Sequence, residues 1–151
     1  MTSAIDRQVL YDQDFNLWLL ETVDQLKSQR FDQIDVENLV EELLDLSKRQ
    51  QRELLTRLDV LLNHLLKRLY VPLPENYRGW EVTIRAQRKQ LKRLLEMSPS
   101  LKASYPDTFG QAWDAALAEA REDYPAILFP DRWPLAADPA VMLSVKFWEE
   151  G

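Results

Sequence analysis

The stretch DVENLVEELLDLSKRQQRELLTRLDVLLNHLLKRLY, from Asp35 to Tyr70, decides the fold. Asp35 is a good N-cap, because its side-chain oxygen can accept from an otherwise unpaired amide of the first turn. Glu37 follows in that turn, where the helix dipole favours negative charge. Leu39, Leu43, Leu46, Leu54, Leu58, Leu61, Leu65 and Leu69 then recur at helical spacing. No Gly or Pro intervenes before Pro72. The pattern predicts one helix over 35 to about 70, with a kink near 47–51, where five polar residues leave a gap in the stripe.

Upstream, Asp12 or Asp14 can cap a helix to about residue 29, with Phe15, Trp18, Leu19, Val23 and Leu26 as its apolar stripe. Downstream, Val71-Pro72-Leu73-Pro74 reads as non-helical, since proline lacks a donor and restricts its predecessor. A third helix over about 78–97 carries Trp80, Ile84, Leu91, Leu94 and Leu95. Ser98-Pro99 reads as an N-cap and N1 pair opening a fourth element. Pro106 interrupts or restarts it, and Phe109, Trp113, Ala116, Leu117 and Ala120 carry its stripe to about 123. From Pro125 onward, Pro130, Trp133, Pro134 and Pro139 indicate an irregular strap, with a short helix opening at Asp138-Pro139. The expected fold is therefore all-α: a single domain over 1–151, an antiparallel bundle of about four main helices with an irregular Pro/Trp-rich C-terminal strap.

Composition removes more chemistry than it adds. The 151 residues are 46% hydrophobic and 29% charged, an ordinary globular mix. There is no Cys, so thiolate metal sites, Fe–S clusters and thiol nucleophiles are excluded. His64 is the single imidazole, so a multi-histidine zinc site cannot be built within one chain. No metal and no cofactor is expected. The net charge of −6 works against nucleic acid, and no apolar run reaches the ~18 residues of a membrane span. The N-terminus lacks the layout of a signal peptide, which makes the cytoplasm the expected location.

Several local patterns share an order and spacing: Asp14-Phe15 with Trp18, Asp35 ahead of Leu39-Val40-Glu41-Glu42-Leu43, and His64-Leu65-Leu66-Lys67. Gly79-Trp80 with Ile84 and Gln87-Arg88, then Ser98-Pro99-Ser100-Leu101, complete the set. Together they resemble the bacterial domain-of-unknown-function family 29, common in cyanobacteria and proteobacteria, over about 11–148. The resemblance implies an all-helical cytoplasmic domain and no established activity. Gly79 stands where that family commonly has Ser, which puts a hydroxyl role at this position in question.

The residues that could carry chemistry are Glu42, His64, Lys67, Trp80, Arg85 and Arg88, on the second and third helices. At ~100° per residue Glu42 falls beside Leu39 and Leu46, whereas Glu41 faces water. Glu42 suits a general base or an arginine partner, although an interhelical ion pair is the more ordinary role for it. His64 lies on the helix flank, within reach of Lys67, and is more often a packed histidine than an acid or base. Arg85 and Arg88 are neighbours on a segment, 78–93, that holds six bases against Glu81; the segment 32–45 holds six acids and no base. The plain reading pairs these two segments, and the sharp one makes the third helix a phosphate or nucleic-acid patch. Trp133 and Trp148, in the strap, are the candidates for an exposed partner surface.

Three functions follow. The first is a non-catalytic interaction or regulatory module that binds an unidentified protein partner or self-associates. The second is a ligand or enzyme site between the second and third helices, with Glu42 or His64 as acid or base and Arg88 holding an anion. The third, nucleic-acid association, is disfavoured by the net charge.

Overall fold

The computed structural model describes residues 4–149, with side chains from residue 7 onward. Among these residues every regular element is helical: α1 (Ala4–Gln13), α2 (Phe15–Lys27), α3 (Val36–Tyr70), α4 (Pro74–Met97), α5 (Tyr105–Asp123) and α6 (Pro139–Met142). Single 3-10 segments occupy Phe31–Gln33 and Pro99–Ala103. The protein is all-α, a helical bundle as the sequence predicts. Its contacts divide it into two compact units, Met1–Arg49 and Gln50–Gly151. The division falls within the polar run 47–51, where α3 offers no apolar residue to pack. The helix does not break there; it continues for 35 residues.

In the N-terminal unit, Asp14 caps α2 by accepting from the Leu17 amide at 3.0 Å. The sequence reading missed α1, whose apolar residues are too sparse to form a stripe. Polar contacts tie α1 down instead. Arg7 Nη1 donates to the carbonyls of Ile34 at 2.9 Å and Gln33 at 3.3 Å, and Asn38 Nδ2 donates to Gln8 Oε1 at 3.0 Å. Tyr11 stands edge-on to Trp18, with centroids 4.9 Å apart, and Phe15 stacks on Trp18 at 5.8 Å. The helix α2 stops at Lys27, two residues early, because Gln29 takes a left-handed φ of 58°. Asp35 opens α3 as expected, accepting from the Asn38 amide at 3.3 Å.

The C-terminal unit packs the later part of α3 with α4, α5 and the strap. The order of side-chain partners gives the helix directions. Gln50 meets Ser98, Arg57 meets Gln87 and Arg68 meets Glu81, so α4 runs antiparallel to α3. Gln51 meets Ser104 and Asn63 meets Ala116, so α5 runs parallel to it. Leu54, Leu58, Leu61, Leu62, Leu65 and Leu66 of α3 are fully buried against Ile84, Leu91, Leu94 and Leu95 of α4 and against Ala112, Trp113, Ala116 and Ala120 of α5. The three alanines, at steps of four, keep that face of α5 shallow.

One boundary corrects the sequence reading. Pro74 belongs to α4 as its first residue, so this helix starts four residues before Arg78. A proline is tolerated there because the first-turn amide lacks an intrahelical acceptor anyway. Pro106 sits likewise in the first turn of α5 and, of the two roles expected for it, takes the restart: the 3-10 segment ends at Ala103 and α5 begins at Tyr105. Ser98 opens the 3-10 segment without a side-chain cap, its Oγ donating to Gln50 Oε1 at 2.9 Å. A Cβ added at Gly79 meets nothing within 4 Å, so a serine there would face open space.

Candidate functional site

Six chemically interesting residues were singled out on α3 and α4, and the structure gives them four different settings. Glu42 belongs to the N-terminal unit, where it accepts a hydrogen bond from the Tyr11 hydroxyl. That bond, with lesser help from burial and the nearby carboxylates, pushes the Tyr11 phenol up to about 12. Glu42 thus serves as the anchor for α1.

His64 and Lys67 belong to the C-terminal unit and face α5. His64 Nδ1 lies 2.8 Å from the Val60 carbonyl. A carbonyl only accepts, so Nδ1 carries the proton and Nε2 is left as acceptor. Burial lowers the imidazole pKa, as does Lys67, against opposing contributions from the Val60 carbonyl and Glu119. Lys67 Nζ stands 3.9 Å from Asp123 Oδ2. Asp59 adjoins this pair: burial and Glu119 both raise its pKa, and its Oδ1 is buried without a partner.

This environment sets a pH dependence. Because the folded pKa of His64 is lowered, the unfolded chain takes up the proton first. Its stabilising contribution is therefore complete above about 6.5 and lost as pH falls through the folded pKa. An NMR titration of the single imidazole should give a midpoint below 6.5, and His64→Gln should flatten the loss of stability on acidification from that pH. Asp59 works in the opposite sense at lower pH, so the comparison with His64→Gln is what isolates the imidazole. A midpoint at or above 6.5 would contradict the geometry.

Trp80 takes no part in a polar site. It is half-buried against the core, edge-on to Tyr124 with centroids 6.5 Å apart. Trp133 and Trp148, the strap residues expected at a partner surface, are half-buried against the core and keep part of their rings exposed. Trp133 belongs to a stack that closes the strap, 5.9 Å from Trp113 and 5.5 Å from Phe147, edge-on to both.

Arg85 and Arg88 do come together. They line a cleft of about 410 Å³ between α4 and the strap, with Lys89, Lys92, Lys146 and Trp148. Arg88 is only 8% exposed; its Nη2 donates to the Val145 carbonyl at 2.6 Å. Its guanidinium carbon lies 5.7 Å from the Phe147 ring centroid and 6.0 Å from that of Trp148. Burial lowers its pKa.

A further surface feature was missed, because an apolar stripe reads the same in the sequence whether it is covered or bare. On α2, Phe15, Leu19, Val23 and Leu26 are exposed; on α3, so are Val36, Val40, Leu43, Leu44 and Leu46. Of the stripe expected on the first helix, only Trp18 is buried.

Among the described residues no helix is long and apolar enough to cross a membrane. No curated protein and no solved structure matches the chain. The match lies with the family described as Domain of unknown function DUF29, over residues 10–148, and the chain belongs to that family.

Proposed function

We propose that this protein is a non-catalytic interaction module of the bacterial cytoplasm that self-associates through its N-terminal helical unit. The bare apolar faces of α2 and α3 carry this reading. Leu20, Val36, Leu43 and Leu44 are each more than half exposed, in a unit where Trp18 and Ile34 are the only large apolar side chains buried among the described residues. A unit of this size buries too little of its own surface to be stable alone, and oligomerisation is the usual remedy. Exposed apolar stripes at helical spacing are what a second helical surface covers.

The charge order on α3 selects a second copy as the occupant. Its first turns carry Glu37, Glu41 and Asp45, and Lys48 and Arg49 follow. Two such helices packed antiparallel about a two-fold axis between residues 44 and 45 set Glu41 of each opposite Lys48 of the other. Residue i then meets j while j meets i, as a two-fold interface requires. Antiparallel packing also opposes the two helix dipoles.

Sedimentation of the full chain across micromolar concentrations should show a dimer. Leu43→Glu, at an exposed position, should leave helicity unchanged and weaken the dimer about tenfold or more, because each apolar contact of ~1.5–3 kcal/mol is lost twice. Glu41→Lys should weaken it too, and adding Lys48→Glu should restore it. A chain that stays monomeric throughout would overturn the reading. A dimer indifferent to the charge exchange would remove α3 from the interface.

A further inference from the structure

The cleft beside Arg88 has a charge imbalance that packing does not explain. Five bases line it, Arg85, Arg88, Lys89, Lys92 and Lys146, against the single acid Glu81. Glu81 is already engaged, its Oε2 3.1 Å from Arg68 Nε. Lys146 has an exposed pairing with Glu149 at 3.5 Å. The ion pairs among the described residues involve none of Arg85, Arg88, Lys89 or Lys92.

Arg88 is the most telling of the five. A guanidinium is costly to bury without a counter-charge, because it forfeits hydration that one carbonyl and two aromatic rings restore only in part. Arg88 Nε is buried with no acceptor. A single neutral acceptor, the Val145 carbonyl, serves a five-donor group. On α4, Arg85, Lys89 and Lys92 follow one another at steps of four and three, so they rise from one face around that anchor. Ile84, Leu143 and Trp148 supply an apolar wall, and the volume of about 410 Å³ suits a small molecule.

We propose that this cleft binds a small, multiply charged phosphate-bearing molecule, with Arg88 as its buried anchor and Arg85, Lys89 and Lys92 at its rim. A single carboxylate would offset one of these charges; a phosphate ester or a pyrophosphate offsets several and offers acceptor oxygens to match the guanidinium fork. The site uses residues of Gln50–Gly151 alone, so it stands or falls separately from self-association.

The test is calorimetric titration of the full chain with inorganic pyrophosphate, at an ionic strength matched with sodium chloride. Saturable binding is expected, tighter for pyrophosphate than for orthophosphate. Arg85→Gln with Lys92→Gln, both on exposed positions, should weaken it about tenfold or more through the loss of two charge-assisted contacts. Arg88→Gln should abolish it, with circular dichroism confirming the fold. Absence of binding, or equal binding by the Arg85/Lys92 variant, would overturn the proposal. So would tighter binding of a duplex oligonucleotide than of pyrophosphate, which would make the α4 face a nucleic-acid surface instead.

Discussion

Trp113→Ala should lower the unfolding free energy of the C-terminal unit by about 3–5 kcal/mol, the usual cost of removing a buried indole. Trp113 is where two parts of the unit meet. Its ring lies in the α3–α4–α5 core, and its Nε1 donates to the Asp131 carbonyl at 3.1 Å. The same indole stands edge-on to Trp133, which in turn meets Phe147. Removing it opens a core cavity and releases the aromatic stack that holds the strap. Trp113→Phe keeps most of the ring and forfeits the hydrogen bond, so its loss should be smaller. Urea denaturation followed by the remaining tryptophans measures both, and limited proteolysis should cut the strap of Trp113→Ala first. A loss below about 1 kcal/mol would mean that the strap and core are not coupled through this residue.

The second large effect contrasts two leucines on one helix. Leu58→Ala should destabilise the C-terminal unit by about 2–5 kcal/mol, because Leu58 is fully buried and its neighbours can only partly collapse into the space. Leu43→Ala, at a position 57% exposed, should change the stability of the monomer by no more than about 0.5 kcal/mol. Denaturation at low protein concentration, where a dimer is dissociated, makes the comparison. Equal losses would mean that the α3 face around Leu43 is covered within the monomer, and the proposed interface would go with it.

That contrast shows where sequence reading succeeded. Asp14 and Asp35 cap the helices they were expected to cap, and α3 runs over the span its leucines mark. The gap at 47–51 was visible too, and α3 runs through it unbroken. A polar gap leaves the backbone bonds of the helix intact and removes the apolar side chains that would pack there. It therefore marks a boundary between packing units. The Pro74 start escaped because proline is a breaker inside a helix and a favoured residue in its first turn, and only the backbone tells the two apart.

The candidate site was legible only in fragments. Arg85 and Arg88 share a helix face by spacing alone, but Lys146 and Trp148 join them through contacts that span more than half of the C-terminal unit's length. His64 and Lys67 instead face α5, and Glu42 serves α1.

The sequence by itself determined the helical class, the caps at Asp14 and Asp35, the apolar stripe along α3 and the absence of thiol chemistry. All of these follow from local backbone preference, short-range periodicity or composition. The tertiary structure alone decided which apolar stripes are covered and which are bare. It also decided that Arg88 is buried with an unmatched donor, and that Trp133 and Trp148 are half-buried against the core. The physical reason is that periodicity reports what one face of a helix offers, whereas burial depends on what another part of the chain brings to it.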